Sequence, residues 1–323
     1  MSTNLVSNFS GKLVKFLEQK QALGYSYNSA IYDIRRFDRM CAERFPNETM
    51  LSEDICNAWA TRRGDESAKT TARRLPLIRE FARYLISTGE PSYILPTGII
   101  KGRQRYIPHI YSLADISNIW RAFDAIQPTE VYPAAHIVYP ALIRLLYCCG
   151  LRPSEALNLR IEDVDLRSGK LFIVESKGHK DRIVMLADDM RRFCCNYDEM
   201  IREYLPIRRF FFAKTPEDAY GYKRVSFVFS RIRETLQIES RNGNPPRLYD
   251  FRHTFATHRL YQWMQDGKDL YAMLPYLSAY MGHSKITETF YYIHLVPGMF
   301  EAMSGFKYES MTEIFPEVVD VYE

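Results

Sequence analysis

At 323 residues, 46% of them hydrophobic and 14% aromatic, the chain has the length of about two domains and enough apolar material to bury a core in each. No apolar run reaches the ~18 residues that a membrane span needs, which excludes an integral membrane protein and predicts a soluble one. The net charge of +4 and the pI of about 8.6 are too mild to name a partner by themselves.

Six cysteines without a secretory leader fit a reducing cytoplasm better than a disulfide framework. There is no HExxH, no spaced Cys/His quartet and no GxxxxGKS/T loop, so neither a metal nor any other cofactor is expected. Charge is unevenly spread: residues 1–105 hold 17 Lys/Arg against 11 Asp/Glu, whereas residues 301–323 hold one Lys against six acids.

The N-terminal part reads as four helices. Leu13, Phe16, Leu17 and the stretch from Lys20 to Leu23 make one amphipathic pattern, and Ile31, Ile34, Phe37, Met40, Cys41 and Phe45 keep helical spacing in a second. A third runs from Leu51 to Arg63, with Ser52 ahead of acidic residues as a helix start favours. In the fourth, Ser67 to Ser87, the residues Leu75, Ile78, Phe81, Ala82 and Leu85 turn to a core and leave Lys69, Arg73 and Arg74 on other faces. The domain boundaries that follow are 1–92, a linker at 93–108, a second domain at 109–296 and a tail at 297–323. The linker is where periodicity stops: Pro96, Gly98, Gly102 and Pro108 punctuate a stretch carrying Lys101, Arg103 and Arg105, cations placed to track a phosphate backbone.

From Ser112 onward, helical patterns at Ser112–Ile126 and Ala134–Cys149 lead into Arg152 at a Gly-Leu-Arg-Pro turn. Alternating segments at Leu171–Glu175 and Arg182–Leu186 predict a β-hairpin whose turn carries Lys177 and Lys180, and the rest is mostly helical through His294. Lys180 and Arg182 read equally well as solvated hairpin charges or as phosphate contacts. Cys148-Cys149 and Cys194-Cys195 lie in apolar helical patterns and are expected to be buried free thiols; Phe210 to Phe212 are expected in the core, and His253 and His258 in helix packing. The tail mixes Met299, Phe300, Phe306, Ile314, Phe315, Val318 and Val319 with acids, a composition suited to a hydrophobic protein groove and the assembly of protomers.

Four distant segments carry chemistry: GLRPSEAL, SKGHKDR, YDFRHTFATH and MGHSKITETFYYIHL. A phosphodiester under attack gains charge on its non-bridging oxygens, which two planar, always-charged guanidiniums, Arg152 and Arg252, can hold bidentately. The departing oxygen needs a proton, and an ammonium on a flexible stem, Lys177, can supply it. A phenol can attack phosphorus and later be expelled, because its pKa of about 10 makes phenolate a tolerable leaving group; Tyr292 is the candidate. A lone arginine on a helix is ordinarily a solvated or paired surface group. What separates these residues from that ordinary role is their occurrence together and in this order.

The four segments resemble the boxes of the tyrosine recombinase, or phage integrase, family, over most of the chain. GLRPSEALNLRIEDVDL is similar to the first arginine box, with Glu155 three residues after Arg152 as the carboxylate that braces the site. SKGHKDRIVML resembles the lysine hairpin, where the first lysine of the KGxK pair, Lys177, is the catalytic one. LYDFRHTFATHRL is similar to the second arginine box, and in LSAYMGHSKITETFYYIHL the nucleophile follows His283 by nine positions, at Tyr292. Tyr249 stands where the family usually has His or Lys; its hydroxyl can still bind a phosphate oxygen, with proton handling left to Lys177 and His283.

The resemblance implies a mainly α fold, with an N-terminal four-helix core-binding (SAM-like) domain that clamps DNA and a mainly-α catalytic domain with a small antiparallel β-sheet. It also implies site-specific cleavage and rejoining of double-stranded DNA through a 3′-phosphotyrosyl link, by a homo-oligomer that is a tetramer in the synapse. Accessory recombination proteins and a cytoplasmic, nucleoid-associated location go with that reading, as do Lys69, Arg73, Arg74, Lys101, Arg103, Arg105 and Lys180 as DNA contacts. The alternatives are a catalytically silent DNA-binding regulator of the same fold and a relaxing enzyme like topoisomerase IB.

Overall fold

The computed structural model describes residues 4–25, 28–64, 66–99, 107–174, 181–239 and 244–293. The chain divides into two compact units between Arg105 and Tyr106.

The N-terminal unit holds α1 (Ser10–Ala22), α2 (Asn28–Arg44), α3 (Glu53–Ala60) and α4 (Ala68–Ser87). Two serines start helices as N-caps: the Ser52 side chain accepts from the Ile55 amide and the Ser67 side chain from the Thr70 amide, each satisfying a donor that has no partner inside the helix. The apolar stripes of all four helices meet in a core rich in rings. Phe16, Phe37, Trp59 and Phe81 are buried there, with Phe37 edge-on to Trp59 at 5.3 Å between centroids.

Two expectations are corrected in this unit. Arg74 is no surface cation: it is 1% exposed, its Nε and Nη2 donate to Glu66 at 2.9 and 2.8 Å, other donors reach the carbonyls of Trp59 and Thr61, and its plane lies 4.5 Å from the Trp59 ring. A buried guanidinium must be paired and hydrogen-bonded to offset desolvation, and every partner here is internal, so Arg74 cannot reach DNA. The linker also starts later than residue 93. The Tyr93 amide donates to the Leu51 carbonyl at 2.8 Å, Leu95 is buried in this core, and Arg79 donates to the carbonyls of Leu95 and Pro96 at 2.9 and 2.6 Å.

The second unit is built around α6 (Ala135–Cys149), apolar on all sides and therefore central. α5 (Leu113–Asp124), α8 (Asp188–Tyr204) and α10 (Asp250–Gln265) pack against it. Ser112 and Asp115 form a reciprocal cap at the start of α5. After α6 come α7 (Pro153–Leu157) and a three-stranded antiparallel sheet of β1 (Val164–Asp165), β2 (Lys170–Ile173) and β3 (Arg182–Met185), in that order. Ile173 pairs with Arg182 and Leu171 with Val184, so Leu171, Ile173 and Val184 face the core. α9 (Tyr222–Thr235), α11 (Leu270–Met281) and α12 (Thr287–Phe290) complete the unit.

All six cysteines are free thiols, and Phe211 and Phe212 lie in the core, whereas Phe210 is half-buried. Among the described residues no helix is long and apolar enough to cross a membrane.

Candidate active site

Two glycines set the backbone on which the site rests. Gly150 ends α6 and Gly282 ends α11, both in the left-handed conformation with φ of 59° and 65°, which costs other residues strain. There is no room for a side chain either: a Cβ on Gly150 would sit 2.3 Å from the Phe255 ring, and one on Gly282 would sit 2.9 Å from the Arg182 side chain.

The carbonyls freed at these helix ends hold the two arginines. Arg252, on the first turn of α10 and 1% exposed, donates Nη1 to the Gly150 carbonyl at 2.8 Å and Nη2 to the Met281 carbonyl at 2.5 Å. Arg152, just before α7, donates Nη2 to the Gly282 carbonyl at 3.2 Å. The negative ends of α6 and α11 thus face positive charge.

Glu155 ties this arrangement to the sheet. It accepts from the Arg152 amide at 2.9 Å and from Arg152 Nη1 at 2.6 Å, while Arg182 at the start of β3 donates both Nη atoms to it at 2.9 and 2.8 Å. Arg182 Nε also donates to the Tyr280 carbonyl at 2.9 Å, on α11. Burial alone would raise the Glu155 carboxyl, but hydrogen bonds and charge from Arg182, then Arg152, bring it down to about 2. Burial likewise opposes the charge of Arg152, yet Glu155 and then Tyr249 more than offset it and raise that group.

Arg252 differs. Among the described residues no carboxylate pairs with it, and burial followed by the nearby charge of Arg152 lowers its pKa. A guanidinium nonetheless keeps its charge throughout the physiological range, so the pocket holds a buried cation whose hydrogen-bond acceptors among the described residues are neutral carbonyls.

His283 and Tyr292 close the cluster. The His283 Nδ1 shares a hydrogen bond of 2.7 Å with the Thr289 hydroxyl, and its ring lies nearly parallel to Tyr292, 5.9 Å away at 19°. Burial, then the charges of Arg252, Arg152 and Arg182, push the imidazole down to about 3, so it is neutral at physiological pH. Tyr292 is 3% exposed; burial raises its phenol well above the usual value, and Arg252, then Arg152, work against that rise. Tyr249 caps α10, with its ring 5.3 Å from His253. His253 in turn lies 5.5 Å from the Tyr292 ring, and burial pushes it down to about 4.

The structure therefore gathers Arg152, Glu155, Tyr249, Arg252, His283 and Tyr292. Lys177, Lys180, Lys101, Arg103, Arg105 and the tail from 297 lie outside the described residues. Lys69 is exposed on α4; Arg73 is 56% exposed and lies 3.3 Å from Asp33. Arg182 is neither a solvated hairpin charge nor a phosphate contact: only 8% of its side chain is exposed, and it braces Glu155. Strand alternation carried that signal, because residue 182 shares a face with the buried Val184. Thr289, the His283 partner, and the two helix-ending glycines were also missed, since a hydroxyl six residues from a histidine and a glycine after a helix have many ordinary roles. His258 meets the Tyr147 hydroxyl at 3.0 Å, a packing role.

Residues 117–298 match the phage integrase family. The tyrosine recombinase XerC of Chlorobaculum tepidum is 31% identical over 70% of this chain and 69% of its own. The provisionally named integrase/recombinase y4rB of Sinorhizobium fredii is 29% identical over 89% of this chain and 93% of its own. Among solved structures, a lambda integrase dimer bound to a COC′ core site superimposes with a TM-score of 0.63 at 16% identity, covering 88% of this chain and 94% of that one. The chain belongs to the phage integrase family: it is a tyrosine recombinase, a DNA strand-transferring enzyme.

Proposed function

We propose that the protein is a site-specific recombinase that cleaves and rejoins double-stranded DNA through a 3′-phosphotyrosyl link on Tyr292, serving integration, excision or transposition of a mobile element or the resolution of replicon dimers. The observation that supports this reading is geometric: Arg252 and Arg152 donate to the adjacent carbonyls of Met281 and Gly282, directly before His283, whose ring lies 5.9 Å from that of Tyr292; the proposed phosphate gap lies among these four side chains.

A scissile phosphate entering that gap supplies the anion that Arg252 lacks. Arg252 and Arg152 hold the non-bridging oxygens, with donors fixed in advance by backbone carbonyls, so little reorganisation is needed as charge develops. Tyr249, beside Arg152, adds a hydroxyl donor. Tyr292 attacks phosphorus, and the neutral His283 stacked on it handles a proton in the same space. Lys177 protonates the 5′ leaving oxygen. A 5′ hydroxyl from a partner strand then reverses the chemistry, and the covalent link conserves the energy of the broken bond, so no nucleotide is consumed.

In this scheme residues 109–296 perform the chemistry, the helices before Pro96 clamp the duplex, Lys101, Arg103 and Arg105 follow its backbone, and residues 297–323 join protomers into a tetramer at synapsis. The solved relatives support assembly on DNA, since the lambda integrase chain is a DNA-bound dimer and the XerH recombinase chain is a post-cleavage DNA complex.

The test is a supercoiled plasmid carrying the ends of the element. Site-dependent product circles, together with a covalent adduct that Tyr292→Phe abolishes, are expected. Relaxation without product circles makes the protein a topoisomerase, and binding without an adduct makes it a regulator.

A further inference from the structure

His253 follows Arg252 on α10 and takes no part in the steps above. Its ring stands between two tyrosines of the site, 5.3 Å from Tyr249 and 5.5 Å from Tyr292 between centroids, with Tyr291 at 6.5 Å. Among the described residues its Nδ1 is shut off from solvent and has no hydrogen-bond partner. We propose that His253 Nδ1 accepts the hydroxyl proton of Tyr292 as that residue attacks the scissile phosphate and returns it when the strand is rejoined; the inference rests on the strand-transfer reading above.

A ring that only packs needs no nitrogen. An enclosed nitrogen without a partner costs free energy, and a histidine in an ordinary packing role avoids that cost, as His258 does when its Nδ1 meets the Tyr147 hydroxyl at 3.0 Å. The other imidazole beside the nucleophile has one nitrogen already engaged: His283 Nδ1 is shared with the Thr289 hydroxyl at 2.7 Å. That leaves its Nε2 for a phosphate oxygen and His253 for the phenol.

Tyr292 needs a proton partner in both directions. Burial raises its phenol well above the usual value, so it neither ionises ahead of attack nor leaves readily as phenolate. Burial is also the main reason that His253 is neutral; Asp250 works against that, and Arg247 and Arg252 add to it. A phosphate seated on Arg252 offsets the last of these charges, so the imidazole becomes a better acceptor only with substrate in place. In cleavage the Tyr292 Oη–H bond breaks as Oη bonds to phosphorus, the proton passes to Nδ1, and the 5′ oxygen leaves with a proton from Lys177. In rejoining, the 5′ hydroxyl gives its proton back to Lys177 as it attacks, and the imidazolium returns its own to the departing Oη.

The test is single-turnover cleavage by the full-length protein on a duplex of the element's end in which sulfur replaces the 5′ bridging oxygen at the cut phosphate. A thiolate leaves without a proton, so the rate reports loss of the Tyr292 proton. His253→Phe, which keeps a ring in the space, should unfold at the wild-type midpoint and cut about 10²-fold more slowly, the lower end of what a positioned acid–base group contributes. His253→Ala should be as slow, and should recover in added imidazole but not in pyrrole, a ring of the same size without an acceptor nitrogen. That rescue decides the matter if the Phe variant fails to fold. Wild-type rates in His253→Phe, or an Ala variant that answers to imidazole and pyrrole alike, overturn the inference and leave His253 a packing group. A wild type that forms no adduct, or a Tyr292→Phe protein that still forms one, overturns the strand-transfer reading itself.

Discussion

Arg74 and Arg252 are equally buried, each 1% exposed, and both lie on helices among rings and carbonyls. The difference is one carboxylate. Arg74 has Glu66, whose carboxyl is held down at about 2, first by its hydrogen bond with Arg74, so the pair is closed on itself. Among the described residues Arg252 donates to main-chain oxygens and pairs with no carboxylate. A buried cation that is internally neutralised is structural, whereas one left without a counter-charge marks a place for an incoming anion.

Replacing each arginine in turn sets the two roles against each other. Arg74→Met leaves Glu66 buried without its partner and should cost about 3–5 kcal/mol of stability, read as a lower denaturation midpoint, with the cleavage rate per folded molecule unchanged. Arg252→Met should do the reverse. Cleavage of a nicked duplex falls by about 10²–10³-fold, the loss that follows removal of one preorganised donor from developing charge, and the midpoint stays or rises because a costly buried charge is gone. Equal stability losses in the two variants would break the distinction.

Arg182 sharpens it from the side. Arg182→Met leaves Arg152 attached to a loosened Glu155 and should lower cleavage by about 10–100-fold, an effect of the size found when ligand-supporting partners are removed. The Glu155 carboxyl rises without its bidentate partner, so the variant should lose activity on acidification at a higher pH than the wild type does. Loss of activity by Arg182→Met and the wild type at the same pH would remove Arg182 from the positioning role.

A last comparison is in pH-dependent stability. The folded values of His283, about 3, and His253, about 4, lie below the ordinary 6.5. As pH falls the unfolded chain therefore binds protons first. Stability should be full above about pH 6.5 and be lost as pH falls through about 4 and then about 3, and His283→Gln should flatten that decline in denaturant titrations.

Much of this was legible from residue order. The helix starts at Ser52, Ser67 and Ser112 are local, each a capping residue before an apolar pattern, and all three cap in the structure. The gathering of Arg152, Arg252, His283 and Tyr292 followed from motif resemblance. Arg74 shares a helix face with Thr71, Ile78 and Phe81, but a lone arginine reads as a surface group, and the partners that hold it inward, Glu66, Thr61 and Trp59, lie eight, 13 and 15 residues earlier. Arg182 was obscured because its partners Glu155 and Tyr280 are 27 and 98 residues away, beyond any local pattern. The later start of the linker depended on one leucine, Leu95, finding space in a core assembled from distant helices.

Gly150, Met281 and Gly282 hold the two arginines through peptide oxygens. Such a grip depends on the course of the chain, so the positions of the two guanidiniums are set by where α6 and α11 stop. A tilt or slide of either helix moves a guanidinium directly. Under the proposed reading, a partner that shifts those two helix ends would change when a strand is cut.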